Sequence, residues 1–274
     1  HTLMEETHYL LQNPNFFNIP ISCSNPISIA STDNPQEQNS KLFENLYANI
    51  LNQYIGNIIE RASKEYFPIY IIKELTIQST HIQINFCNLK SCIRITNKSE
   101  LNSSYSIFST FPESFLNCGI EISDKSKGSF KNCHFCNAKQ ISIILKDNSE
   151  ALFDHCTFNY NSVSCYLLNN SKAHFIDCKF VNDHEISILG KKDCQVIVQN
   201  CQFKSLKGKA IYCYENSEIY VEKTHFDNFN ENVISTIDNS RLYITDTNID
   251  NTTNISFNIS LNSIVKSSNA SSFI

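Results

Sequence analysis

The chain has 274 residues, 41% of them apolar, and a net charge of −5 from 22 basic and 27 acidic side chains spread along its length. No basic stripe stands out, which argues against a nucleic-acid partner, and no apolar run reaches the ~18 residues a membrane helix needs. Six prolines and five glycines exclude a collagen-like or low-complexity chain.

The chain begins His1-Thr-Leu-Met-Glu-Glu, with neither an initiator Met nor the basic-then-apolar pattern of a signal segment, which reads as a fragment or a tag remnant. Asn, Pro and Ser clusters make residues 1–38 read as irregular. Residues 40–65 read as an amphipathic helix. Leu46, Ile50, Ile55, Ile58, Ile59 and Ala62 recur at three- and four-residue steps, and Phe43, Leu51 and Tyr54 widen the stripe. Asn39 or Ser40 can cap its start, and Pro68 lies just beyond its end. Residues 1–67 therefore form an N-terminal unit. Its helix is expected to plug the open end of the repeat region downstream; a docking helix for another protein is the alternative.

From about residue 68 to 270 the chain repeats itself. Cys87-Asn-Leu89 and Ser106-Ile-Phe108 are early, irregular copies of a Cys-x-Phe slot. Regular copies follow at Cys133-His-Phe135, Cys156-Thr-Phe158, Cys178-Lys-Phe180 and Cys201-Gln-Phe203. Thr224-His-Phe226 and Thr247-Asn-Ile249 are degenerate ones. Successive offsets from Cys133 are 23, 22, 23, 23 and 23 residues. A second landmark lies seven residues upstream of each: Ser126, Ser149, Ser171, Cys194, Ser217 and Ser240. The single short step falls at the same place in both series, so the two markers belong to one periodic unit. The step from Ser99 to Ser126 is 27 residues, its surplus assigned to the region of Phe111-Pro-Glu-Ser114.

Within each repeat the apolar period is two, so the units are strands. One strand points Ala151/Phe153, Ala173/Phe175, Val196/Val198, Ile219/Val221 and Leu242/Ile244 inward. A short strand carries the Cys-x-Phe pair. A third points inward Ile93/Ile95, Ile141/Ile143/Leu145, Val163/Cys165/Leu167 and Ile186/Ile188. Three such strands cannot bury their inner faces alone, but turns stacked at ~4.8 Å can. The prediction is an all-β solenoid, a right-handed parallel β-helix of about eight coils. Residues 271–274 are a tail.

This coil plan, with its Cys-x-Phe and Asn-Ser slots, resembles the right-handed parallel β-helix (pectin lyase-like) superfamily over about three quarters of the chain. The resemblance implies the fold. It leaves function open, because the same fold serves polysaccharide-cleaving enzymes and intracellular binding domains. In the cleaving members the cleft lies on the outer face of one sheet, for which the third strand is the counterpart here. Alternation gives its outward residues as Arg94/Thr96, Glu121/Ser123, Ser142/Ile144, Ser164/Tyr166, Ser187/Leu189, Ala210/Tyr212, Val233/Ser235 and Ser256/Asn258. Glycoside hydrolysis needs paired carboxylates, and this inventory holds one Glu beside one Arg, which reads as a surface ion pair. No catalytic residue is carried over.

Other constellations point to structure. His155 shares a turn column with Asn132, Asp177, Asn200, Lys223 and Asp246, and Asp183-His184-Glu185 lies in a short loop. The four ladder cysteines are collinear, which suits a packed core and not a tetrahedral metal site. Lys127, Glu150, Lys172, Gln195, Glu218 and Arg241 make one outward column of alternating charge. No metal or cofactor is expected.

The uncharged outward strip Ile144, Tyr166, Leu189 and Tyr212, interleaved with small residues, has no such structural account. The sequence thus favours a non-catalytic scaffold that binds a protein partner or joins a larger assembly; cover by a segment of the chain or a flanking domain is the bland alternative. A carbohydrate-binding or polysaccharide-degrading protein is the second hypothesis. Cysteines at core positions favour a reducing, intracellular location, cytoplasmic or cytoskeletal. Sequons at Asn97, Asn102, Asn169, Asn251, Asn254, Asn258 and Asn269 keep a secreted or cell-surface one as the alternative.

Overall fold

The structure is a computed structural model. It describes residues 21–23, 27–29, 69–78, 81–85, 88–110, 116–205, 207–230, 232–250, 257–259 and 264–268. The helix expected at 40–65 and the surplus assigned near 111–114 lie outside the described residues.

Among the described residues every strand pairing is parallel, and within the repeat each pair joins equivalent positions of neighbouring coils. Each coil has three faces. The first is a nine-stranded sheet running from His81–Asn85 to Ile264–Ser268. The second holds three-residue strands such as Thr157–Asn159, and the third strands such as Val163–Leu168. Seven turns show all three strands separately, from Glu100–Ser104 to Phe257–Ile259. Before them the second and third faces fuse into single strands, Asn88–Thr96 and, beneath it, Ile69–Gln78. These two pair with a bulge between Ile72 and Leu75 where a corner would otherwise stand. Nine strands at ~4.8 Å give a rod about 38 Å long.

Within the segment read as irregular, two strands add a further layer. Ile21–Cys23 pairs with Tyr70–Ile72, and Ile27–Ile29 pairs with Leu75–Ile77. They satisfy backbone groups along the edge of Ile69–Gln78.

The core is a set of columns. On the first face Phe130, Phe153 and Phe175 stack with centroids 5.3 and 4.8 Å apart. On the second, Phe108, Phe135, Phe158, Phe180, Phe203 and Phe226 stack at 4.4–5.3 Å, with Leu89 in register below. Rings of the two columns meet edge to face, as Phe153 and Phe158 do at 5.4 Å, so the quadrupoles complement across the lumen. Cys133, Cys156, Cys178 and Cys201 are buried free thiols in this core. Each donates to a carbonyl of the coil below, as Cys178 Sγ does to Phe153 O at 3.4 Å.

The corners explain the abundance of Asn and Asp. A closed coil must turn three times, and it turns through left-handed backbone. Of 26 described non-glycine residues with positive φ, 18 are Asn or Asp, and no described glycine has positive φ. Asn and Asp tolerate this region best among residues with a side chain. One corner residue per coil joins the first face to the second: Tyr105, Asn132, His155, Asp177, Asn200, Lys223 and Asp246, with φ of 47–54°. Their N–H groups keep the coil-to-coil bonding unbroken, as in Asn132 N to Asp154 O at 2.9 Å and His155 N to Ile176 O at 2.9 Å. The glycines serve close contact instead. A Cβ on Gly190 would lie 2.7 Å from Cys213 Sγ.

Candidate functional site

The third-face strip forms as the repeat demands. Ile144 stands in register with Tyr166, Tyr166 with Leu189, and Leu189 with Tyr212. All four are partly exposed and point outward, because their neighbours Ile143, Leu145, Cys165, Leu167, Ile188, Ile211 and Cys213 are buried in the lumen. The column continues downward to Glu121 and Arg94 and upward to Ser235.

The register corrects part of the outward inventory. Arg94 and Glu121 occupy the column of Ile144, not that of Ser142. Ser142, Ser164, Ser187, Ala210 and Val233 are buried, as are Glu121, Ser123 and Ser235. Strict alternation fails at the strand entrance because the preceding corner folds inward and supplies hydrogen-bond partners there. Ser164 Oγ donates to Asp183 Oδ2 at 2.6 Å, and Asn161 Nδ2 donates to Ser164 Oγ at 3.0 Å. Ile141 and Ile186, expected inside, are partly exposed at the same entrance.

Asp183, in the short loop before Ile186, is itself buried. Burial pushes its carboxyl up to about 6, against hydrogen bonds from Ser164, Ser187 and the Asn161 N–H that favour the charged form.

A second outward column flanks the strip. Lys146 follows Leu145, and Leu168, Lys191 and Tyr214 stand in register beyond it. Tyr212 and Tyr214 have centroids 5.7 Å apart. The Lys209 ammonium lies 5.3 Å from the Tyr212 ring centre, and that of Lys191 lies 5.4 Å from Tyr214. Burial, helped by the neighbouring Tyr214, pushes the Tyr166 phenol up to about 12. Glu121 Oε1 takes Arg94 Nε and Lys146 Nζ, each at 3.2 Å, so this carboxylate is engaged by two cations. The sequence reading missed Lys146, Leu168, Lys191, Lys209 and Tyr214. Offsets of 22 and 23 residues tie Lys146, Leu168, Lys191 and Tyr214 into one column, and Lys209 stands 23 residues after Ile186.

Two other places bear on chemistry. Asp154, His155 and Asp177 bring ligand-type atoms within 4.8 Å of one another. Each already has a partner: His155 Nδ1 to Asp154 Oδ1 at 2.6 Å, Lys131 Nζ to Asp154 Oδ2 at 3.8 Å, and Asn200 Nδ2 donating to Asp177 Oδ1. The Asp154 hydrogen bond raises the His155 pKa. On the first face, a shallow trough of about 300 Å³ is lined by Gln195, Gln199, Glu222, Thr245 and the stacked pair Tyr220 and Tyr243, centroids 4.7 Å apart.

No family model and no curated protein matches this sequence.

Proposed function

We propose that this chain is a non-catalytic scaffold, a right-handed β-helix of pectin lyase-like plan that holds a protein partner on its third face or joins a larger assembly. The observation that carries this reading is the in-register strip Ile144, Tyr166, Leu189 and Tyr212, partly exposed over four successive coils. Such a strip offers apolar area with aromatic anchors on a rigid surface, which favours recognition of another protein. An intracellular location belongs to the same reading, since the ladder cysteines serve as core side chains.

The test is a partner pull-down with Tyr166→Glu/Tyr212→Glu. Loss of the partner with an unchanged circular dichroism spectrum supports the strip as the site. Retention of the partner removes it. Fractionation of cells producing the protein tests the location.

A second reading places a carbohydrate in the first-face trough, where Gln195, Gln199 and Glu222 offer hydrogen bonds beside the Tyr220 and Tyr243 rings. A glycan array, with a reducing-end release assay on pectins, tests it. Binding lost on Tyr220→Ala would favour this reading, and release of reducing ends would overturn the non-catalytic one.

A further inference from the structure

The side chains around the strip narrow the chemistry of its partner. Outward positions in the third-face strands from Arg94 onward, with the residue that follows each strand, hold five basic residues, Arg94, Lys146, Lys191, Lys192 and Lys209, and two acidic ones, Glu121 and Glu215. That is a local +3 on a chain whose total is −5. The first face differs. Its charges alternate along the axis and cancel between coils, Lys127 with Glu150 at 3.6 Å and Arg241 with Glu218 at 3.1 Å. Other acidic groups on this side, Asp147, Asp193 and Asp238, stand at the corners, where left-handed backbone selects Asp and Asn.

The lysines are also placed for contact. Lys209 and Lys191 lie over the Tyr212 and Tyr214 rings, so their stems run along the strip. Lys191 meets Glu215 at 3.6 Å, and Lys146 shares Glu121 with Arg94. Between these cations lies aliphatic surface, Ile144, Leu168 and Leu189.

From this arrangement we infer that the third face takes an acidic amphipathic polypeptide segment, its apolar side chains on the strip and its carboxylates against Lys146, Lys191 and Lys209. The inference rests on the reading of the strip as a protein-binding surface and adds the partner's charge. Aliphatic side chains favour a polypeptide over a glycan or a phosphate backbone, whose hydroxyls and charges would be desolvated against Ile144 and Leu189 without hydrogen bonds in return. Like-charge contacts discriminate against basic segments.

A yeast-displayed library of random peptides of about 15 residues, sorted on the whole folded chain, tests this with two variants alongside. Tyr166→Glu/Tyr212→Glu removes the strip, and Lys146→Glu/Lys191→Glu/Lys209→Glu reverses its flank. The expected outcome is enrichment of peptides mixing Asp or Glu with Leu, Ile or Phe. Their affinity should fall roughly tenfold or more on charge reversal and on raising salt from roughly 50 to 300 mM. The reversed variant should select basic peptides instead. If enriched peptides are neutral or basic yet lost with the tyrosine variant, the partner's charge is wrong and the strip stands. If no peptide depends on Tyr166 and Tyr212, both readings fall. Selective binding of polygalacturonate or DNA, with no acidic peptide enriched, overturns the polypeptide. Should the reversed variant not fold, Lys191→Gln/Lys209→Gln replaces it, with the same weakening expected in direction.

Discussion

Ser164 Oγ lies 2.6 Å from Oδ2 of Asp183 on the next coil, and this bond ties the third face to a carboxyl that solvent does not reach. The same corner one coil earlier holds Asn161. Its Oδ1 accepts from Ala138 N at 3.0 Å, as Asp183 Oδ1 accepts from Asn161 N at 3.1 Å, and its Nδ2 donates to Phe135 O at 3.1 Å.

Asp183→Asn should therefore repeat an arrangement the fold already uses. The Asp183 carboxyl is raised from an ordinary 3.8 to about 6. Between those values the folded chain keeps a proton that the unfolded chain has lost. The contribution of Asp183 to stability is thus greatest below pH 3.8, declines as pH rises toward 6, and stays low above it. The loss is roughly 3 kcal/mol across that window. Asp183→Asn should unfold at higher urea than the parent at about pH 7.5, with the gap closing toward about pH 4. A variant weaker than the parent at the higher pH would count against a strained buried carboxylate.

Phe158 sits between Phe135 and Phe180, at 4.9 and 4.6 Å. Truncation leaves a cavity in a column that cannot collapse without breaking register. Phe158→Ala should cost about 3–5 kcal/mol in urea unfolding. A loss under about 1 kcal/mol would mean the ring is not in a packed lumen.

Lys223 holds a left-handed corner, φ 49°, that Asn132 and Asn200 hold in other coils. Lys223→Asn should stabilise by up to about 1 kcal/mol and Asn200→Ala should destabilise by about as much, both read as shifts in the urea midpoint. Opposite signs would argue against corner conformation as the reason for the asparagines.

Of the ten cysteines from Cys92 to Cys213, nine are buried and Cys136 is partly exposed. Burial nonetheless raises its thiol pKa, helping to keep it protonated at neutral pH. Among the described residues, maleimide labelling of the native chain followed by peptide mapping should mark Cys136 first. Cys133, Cys156, Cys178 and Cys201 should react only on unfolding. Early labelling of these four would contradict the thiol ladder.

Coils of one register should be removable. Deleting residues 172–194 joins Ser171 to Gln195, the residue that pairs with Lys172 in the stack. The shortened chain should keep a β-rich circular dichroism spectrum and unfold cooperatively. A deletion of half that length should not fold.

The features legible in the chain are those carried by its period. The Phe135, Phe158, Phe180 and Phe203 ladder, the paired inward residues and the Tyr166 strip all recur every 22 or 23 residues, and stacking converts that recurrence directly into register. Features that break local rules were not legible. Nothing in the short loop Asp183-His184-Glu185 marks Asp183 as buried, because a corner folds inward only when neighbouring hydroxyls satisfy it. Ser164 and Ser187 looked outward because alternation was applied up to the corner, where two consecutive residues are buried. Strands of three residues such as Ile21–Cys23 are too short to show a period and depend on Ile69–Gln78 for their pairing.

A crystal structure of the chain should show Phe135, Phe158, Phe180, Phe203 and Phe226 in one internal column with neighbouring centroids 4.4–4.9 Å apart, and Tyr166 and Tyr212 on the outside of the third face. Phenylalanines dispersed through a different core, or Tyr166 and Tyr212 enclosed within it, would contradict the stack and the surface built on it.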